Sequence, residues 1–123
     1  MTAADLDRSV AFYRRVLGAE AFRDIVIDGI VVAKQVSVGR AMLNIHQAGN
    51  GKTVLVAGRP TVGSVDLCFR WTAPIEAAVA RLEEAGVEIL TGPVERIGSD
   101  GLPGQSVYFR DPDDNLLELL SSI

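Results

Sequence analysis

The sequence predicts an α+β domain made of two similar modules, each a helix followed by three strands. Two amphipathic stretches, residues 5–17 and 74–85, carry apolar side chains at helical spacing. After each come three runs of strand-like alternation separated by turn residues. The glycines placed to end the helices, Gly18 and Gly86, stand 68 residues apart, so the plan repeats within the chain. A length of 123 residues is one domain's worth, with 48% apolar and 23% charged residues. That balance supports a core and argues against disorder.

The first helix is predicted to start at Asp5, a good N-cap, to present Leu6, Val10, Tyr13 and Leu17 on one face, and to stop at Gly18. The second begins at Pro74, which suits a first turn, presents Ile75, Ala78, Val79 and Leu82, and stops at Gly86. Strands are expected near 21–28, 30–38 and 40–47 in module one, and near 93–98, 105–110 and 115–121 in module two. Helix 74–85 follows a further strong strand, Val65 to Trp71, whereas helix 5–17 follows only Met1-Thr2-Ala3-Ala4, so module one reads as lacking its leading strand. The organisation is module one 1–47, a linker 48–63, and module two 64–123.

Composition removes several function classes. A formal charge of −4 disfavours nucleic acid as a partner, because phosphate contacts need a basic face. No run reaches the roughly 18 apolar residues of a membrane span, and the first residues have no basic and apolar signal pattern. The single cysteine forms no internal disulfide, which suits a cytoplasmic protein.

Chemistry is expected near the C-terminus, where Phe109 to Leu120 reads FRDPDDNLLELL. Asp111 to Asn115 is dense in turn-forming residues, and Glu118 then stands in an otherwise apolar strand. A carboxylate there needs a cation, a donor or a proton unless its face of the strand is wet. His46 is the only histidine and shares a strand face with Asn44; a solvated strand-end imidazole is the plain alternative. Asp66 opens the Val65–Trp71 strand as a cavity-lining group or a structural hydrogen bonder, and Cys68 is read as packing on the face opposite Asp66. Arg96, Ser99 and Tyr108 are expected at a cavity mouth. Gly98, Gly101 and Gly104 read as a hairpin loop, because no strand-to-helix context follows them.

The segments ADLDRSVAFYRRVLG (4–18), MLNIHQ (42–47), SVDLCF (64–69) and GPVERIGSDGLPGQSVYFRDPD (92–113) together resemble the vicinal oxygen chelate superfamily. That group includes glyoxalase I, fosfomycin-resistance thiol transferases, bleomycin-resistance proteins and extradiol dioxygenases. The resemblance implies βαβββ modules forming curved, mostly antiparallel half-barrels around a cleft. It makes Glu118 a metal ligand and Asp66 and His46 candidate ligands or acid–base groups, with Asn44, Arg96 and Tyr108 as substrate contacts. Asn44 is expected to be the module-one counterpart of Glu118. The implied cofactor is a divalent ion (Zn, Ni, Mn, Mg or Fe), and the implied partners are a small-molecule substrate and a second copy of the chain.

Three departures from the family pattern bear on the reaction. The leading-strand histidine of module one is predicted three positions before Met1, so metal affinity is expected to be weak or absent in this chain. Asn44 stands where Glu or Gln is usual, and one histidine does not supply an extradiol iron site. The expectation is a small metal-dependent enzyme, glyoxalase-like or dioxygenase-related; the alternative is a metal-free sequestering protein of the bleomycin-resistance type. Asp114 replaces the usual Gly after Asp-Pro-Asp, so a left-handed residue is expected there.

Overall fold

The computed structural model describes all 123 residues, which fall into two compact units: 1–64 with 112–114, and 65–111 with 115–123. In the first unit the elements are β1 (Thr2–Ala3), α1 (Leu6–Leu17), β2 (Glu20–Ile27), β3 (Ile30–Val38) and β4 (Ala41–Gln47). In the second they are β5 (Asp66–Arg70), α2 (Ile75–Glu84), β6 (Thr91–Ile97), β7 (Pro103–Arg110) and β8 (Leu116–Ser121). Each unit holds one four-stranded sheet, ordered β1-β4-β3-β2 and β5-β8-β7-β6. In each sheet the leading strand runs parallel to its neighbour and the other pairings are antiparallel. No helix is long and apolar enough to cross a membrane.

The segment before α1, read from sequence as lacking a strand, forms a two-residue one: Thr2 lies opposite His46 and Ala3 opposite Gln47 on β4. Its register is informative. Thr2 faces His46 as Arg70 faces Leu120, which makes Asn44 the counterpart of Glu118 in the internal repeat.

α1 starts where expected, with the Asp5 carboxylate accepting from the Arg8 N–H at 3.0 Å, and ends at left-handed Gly18 (φ 65°). Its buried face is Leu6, Ser9, Phe12, Tyr13 and Val16. The predicted Val10 and Leu17 are only half-buried, so the face is rotated toward Phe12 and Val16. Phe12 and its i, i+4 partner Val16 are buried, as are Val32, Val36 and Ile45 of two strands that α1 contacts, β3 and β4. α2 buries Ile75, Ala78 and Leu82 as expected. It packs on β7 and β8, whose inward residues Val107, Phe109, Leu117 and Leu119 are essentially dry.

The acidic turn before β8 is held by its own side chains. The Asp111 carboxylate accepts from the Asn115 backbone N–H at 3.0 Å and from its amide at 2.8 Å. The Asn115 side-chain oxygen Oδ1 in turn accepts from Val65 N–H at 2.9 Å, which sets the entry to β5. Asp114 has φ 66°, the left-handed conformation expected of its position.

Within the first unit, buried Asp113 accepts from Ala4 N–H at 3.1 Å and from the Arg8 guanidinium at 3.3 Å. Arg8 is half-exposed, so the ion pair itself contributes little. Asp113→Ala is therefore expected to lower the unfolding free energy by about 1–3 kcal/mol, mainly through loss of the charge-assisted bond from the Ala4 N–H to the buried carboxylate. Urea denaturation measures it, and a change within error would show that this bond is not structural.

Candidate functional site

The second sheet has one face under α2 and one open face, and strand alternation sorts its side chains between them. Leu117 and Leu119 are 0% and 2% exposed beneath the helix, so Leu116, Glu118 and Leu120 belong to the other face. The parallel register sets Cys68 beside Glu118 on β5, and the antiparallel register sets Tyr108 beside it on β7. Arg96 reaches the same face from β6. The result is a cleft of about 430 Å³ lined by Cys68, Arg70, Arg96, Tyr108, Glu118 and Leu120, with Gly98 and Ser99 at its rim.

Cys68 is thus on the same face as Asp66, not the opposite one, because residues two apart on a strand point the same way. Partial burial pushes its thiol up to about 11, and the Glu118 charge and hydrogen bond add to this against a weaker pull from Arg70. At neutral pH the thiol is protonated and is a donor to Glu118, not a nucleophile. Asp66 lies on the open face opposite Leu116 and is exposed; it is not among the residues lining the cleft.

The cations of the cleft are held differently. Arg70 is engaged by the Asp100 carboxylate and donates to Ser122 Oγ at 2.8 Å. A side chain at Gly98 would meet this pair, since its Cβ would lie 2.8 Å from Asp100 Oδ1 and 3.1 Å from Arg70 Nη2. Arg96 donates from Nε to Tyr108 Oη at 2.9 Å and from Nη1 to the Glu95 carbonyl at 2.8 Å.

In the first unit, Asn44 and His46 share a face with Gln35 by register. Asn44 is exposed, and its Oδ1 accepts from Gln35 Nε2 at 2.7 Å. His46 Nδ1 is buried without a partner. Burial lowers the His46 pKa, and the positive N-terminus adds to it, so the imidazole is neutral at pH 7. It is the one nitrogen donor of this unit suited to a metal.

Of the sequence-derived candidates, Glu118, Arg96, Tyr108 and Ser99 come together in the cleft. Arg70 and Cys68 were missed as members. Both stand at even spacing from Asp66 on the predicted strand, and that alternation was signal enough to find them.

Nowhere in the chain do three His, Cys, Asp or Glu side chains converge as a ready metal site. The cleft on the open face of the second sheet is lined by one carboxylate, Glu118, beside a protonated thiol and two guanidinium groups, while Asp66 stands on the same face outside it. A divalent ion needs about three protein donors. The donors in this chain therefore do not fit a resident metal by themselves.

Comparison with known proteins places the chain. Residues 1–119 match the model of the Glyoxalase/Bleomycin resistance protein/Dioxygenase superfamily. The virulence protein STM3117 of Salmonella typhimurium is 38% identical over 119 residues, 97% of this chain and 78% of that protein. Its crystal structure superposes with a TM-score of 0.85, covering 100% of this chain and 92% of that one. The integron cassette protein VCH_CASS1 from the mobile metagenome of Vibrio cholerae is 36% identical with a TM-score of 0.88, covering 100% and 91%. A glyoxalase domain-containing protein, RDO1, of Mycosarcoma maydis is 38% identical over 123 residues, 98% of this chain but 64% of its own length. The chain belongs to the glyoxalase/bleomycin resistance protein/dioxygenase superfamily.

Proposed function

We propose that the chain is a glyoxalase-type enzyme that takes a small oxygenated molecule in the cleft on the open face of the second sheet, with Glu118 as its reactive group. The observation that carries this is the setting of Glu118: a half-buried carboxylate beside a thiol and a phenol in a cleft that also holds two guanidinium groups. A carboxylate in such a place takes a proton from a carbon or hydroxyl next to a carbonyl, while nearby donors steady the developing oxyanion. In the second unit Tyr108 is proposed as a substrate contact of this cleft and Asp66, on the same sheet face, as an additional acid–base group; in the first unit His46 is proposed separately as a donor and Asn44 as a polar contact on their own sheet face. The test is a screen of small hydroxy-carbonyl and dicarbonyl compounds for turnover, with Glu118→Gln as the control that must be inactive.

The resemblance also assigns Glu118 to a divalent ion, but the donor set is incomplete, and no step of the proposal passes through a metal. Purified protein is expected to hold clearly less than one metal per chain, and chelation is expected to leave its melting temperature unchanged. Elemental analysis finding one tightly held transition metal per chain would overturn this. The same incomplete donor set favours a second reading, metal-free sequestration of a small molecule. Saturable binding without turnover across the screen would select it.

A homodimer is part of the proposal. Phe22, Val26 and Ile30 are more than half exposed, and Val54 and Leu55 are each 90% exposed, apolar side chains that a second copy of the chain would cover. Light scattering at micromolar concentration decides it, and a stable monomer rejects it.

A further inference from the structure

We infer that Arg96 is the anchor for an oxyanionic group, a carboxylate, phosphate or phosphonate, on the molecule that the Glu118 cleft takes. The inference rests on the reading of that cleft given above and adds the substrate's charge class to it.

The first support is how Arg96 is held. Its Nε–H goes to Tyr108 Oη at 2.9 Å and its Nη1 to the Glu95 carbonyl at 2.8 Å, and the guanidinium lies 5.5 Å from the centroid of the Tyr108 ring. The phenol and the carbonyl fix the plane of the fork without neutralising it, since neither acceptor is a carboxylate. A guanidinium held in place before binding loses little freedom when an oxyanion arrives, and its remaining N–H groups match two anion oxygens at once. Arg70 is the contrast. It lines the same cleft, but the Asp100 carboxylate already takes its charge.

The second support is where Arg96 stands. It forms part of the wall between the Glu118 cleft and a neighbouring cleft of about 570 Å³. The neighbouring cleft is also lined by Glu76 and Glu95, whose carboxylates oppose an anion. On the other side the only carboxylate in the lining is Glu118, accompanied by Arg70, Tyr108 and the rim residue Ser99. An anion is therefore favoured on the Glu118 side, at the Arg96 end. A small molecule held there by its charged group presents its other oxygens to the face that carries Glu118 and Cys68. The chain has a net charge of −4, so general attraction of anions does not account for binding.

The experiment titrates the full chain with inorganic phosphate, and separately with methylphosphonate, at constant ionic strength. Calorimetry gives the affinity, and the arginine Nε–H resonances give the location. Saturable binding that moves the Arg96 Nε–H signal is expected. Arg96→Gln is expected to weaken binding by about tenfold or more, and Tyr108→Phe, which keeps the ring but removes the Nε acceptor, by a smaller factor. Arg70→Gln should change it by no more than about twofold, because that charge is already paired. Glu118→Gln is expected to retain or tighten phosphate binding even where it removes turnover, so this inference and the reading of Glu118 fail separately. Phosphate affinity unchanged in Arg96→Gln overturns the inference. So does affinity lost in Arg70→Gln but not in Arg96→Gln, or an absence of saturable binding in the unmodified chain.

Discussion

Replacing Glu118 with Gln is expected to abolish turnover, by at least about a hundredfold for a group that moves a proton, and to lower the Cys68 thiol pKa from its value near 11. The two effects have one origin. Cys68 and Glu118 are cross-strand partners on the open face of β5 and β8, so the carboxylate charge disfavours the thiolate and its hydrogen bond holds the thiol proton. Removing that charge favours the thiolate. The pKa should stay above the ordinary thiol value, because burial is the largest cause of the shift and is untouched. Alkylation rate against pH reads the thiol directly and needs no knowledge of the substrate. Gln has nearly the same volume at a half-buried site, so stability should change by less than about 1 kcal/mol. An unshifted thiol titration would separate the carboxylate from Cys68. An active variant that turns over substrate as well as the parent would end the role assigned to Glu118.

Leu117→Ala is expected to cost about 2–5 kcal/mol, the range for emptying a leucine site in a packed core. Leu117 is fully buried between β8 and α2, with Phe109 as its cross-strand partner. Leu116→Ala, one residue earlier and half-buried on the open face, should cost clearly less. Paired denaturant unfolding curves make this comparison a test of which face of β8 is core. Equal losses would mean that the alternation placing Glu118 in the cleft is wrong.

Much of this architecture was legible from residue spacing. The helix ends at Asp5 and Gly18 are local events, a carboxylate capping an N–H and a glycine adopting φ 65°, and both were found at the predicted residues. Asp114 was expected to be left-handed because of the turn it occupies, and it is. The α1 face was misassigned because helical spacing permits two neighbouring stripes, one through Val10 and Leu17 and one through Phe12 and Val16. The sheet beneath selects the second. The strand before α1 went unseen because two residues carry no periodicity, and Thr2 and Ala3 are a strand only through their pairing with β4.

Residue spacing carried the two-module plan, the order of every element but β1, the turn before β8, and the alternation that parts Glu118 from Leu117 and Leu119. Each follows from interactions among residues a few positions apart, which composition and period record. The tertiary structure alone decided which groups meet on the face that carries Glu118. Cys68 stands beside Glu118 because of the parallel register of strands 50 residues apart, and Arg70 meets Asp100 across 30 residues of chain. Arg96 finds Tyr108 across the β6–β7 hairpin, where a register shift between Thr91 and Val94 breaks simple pairing. Such contacts depend on how strands slide against one another. That is set by the packing of whole sheet faces, and no local pattern in the chain encodes it.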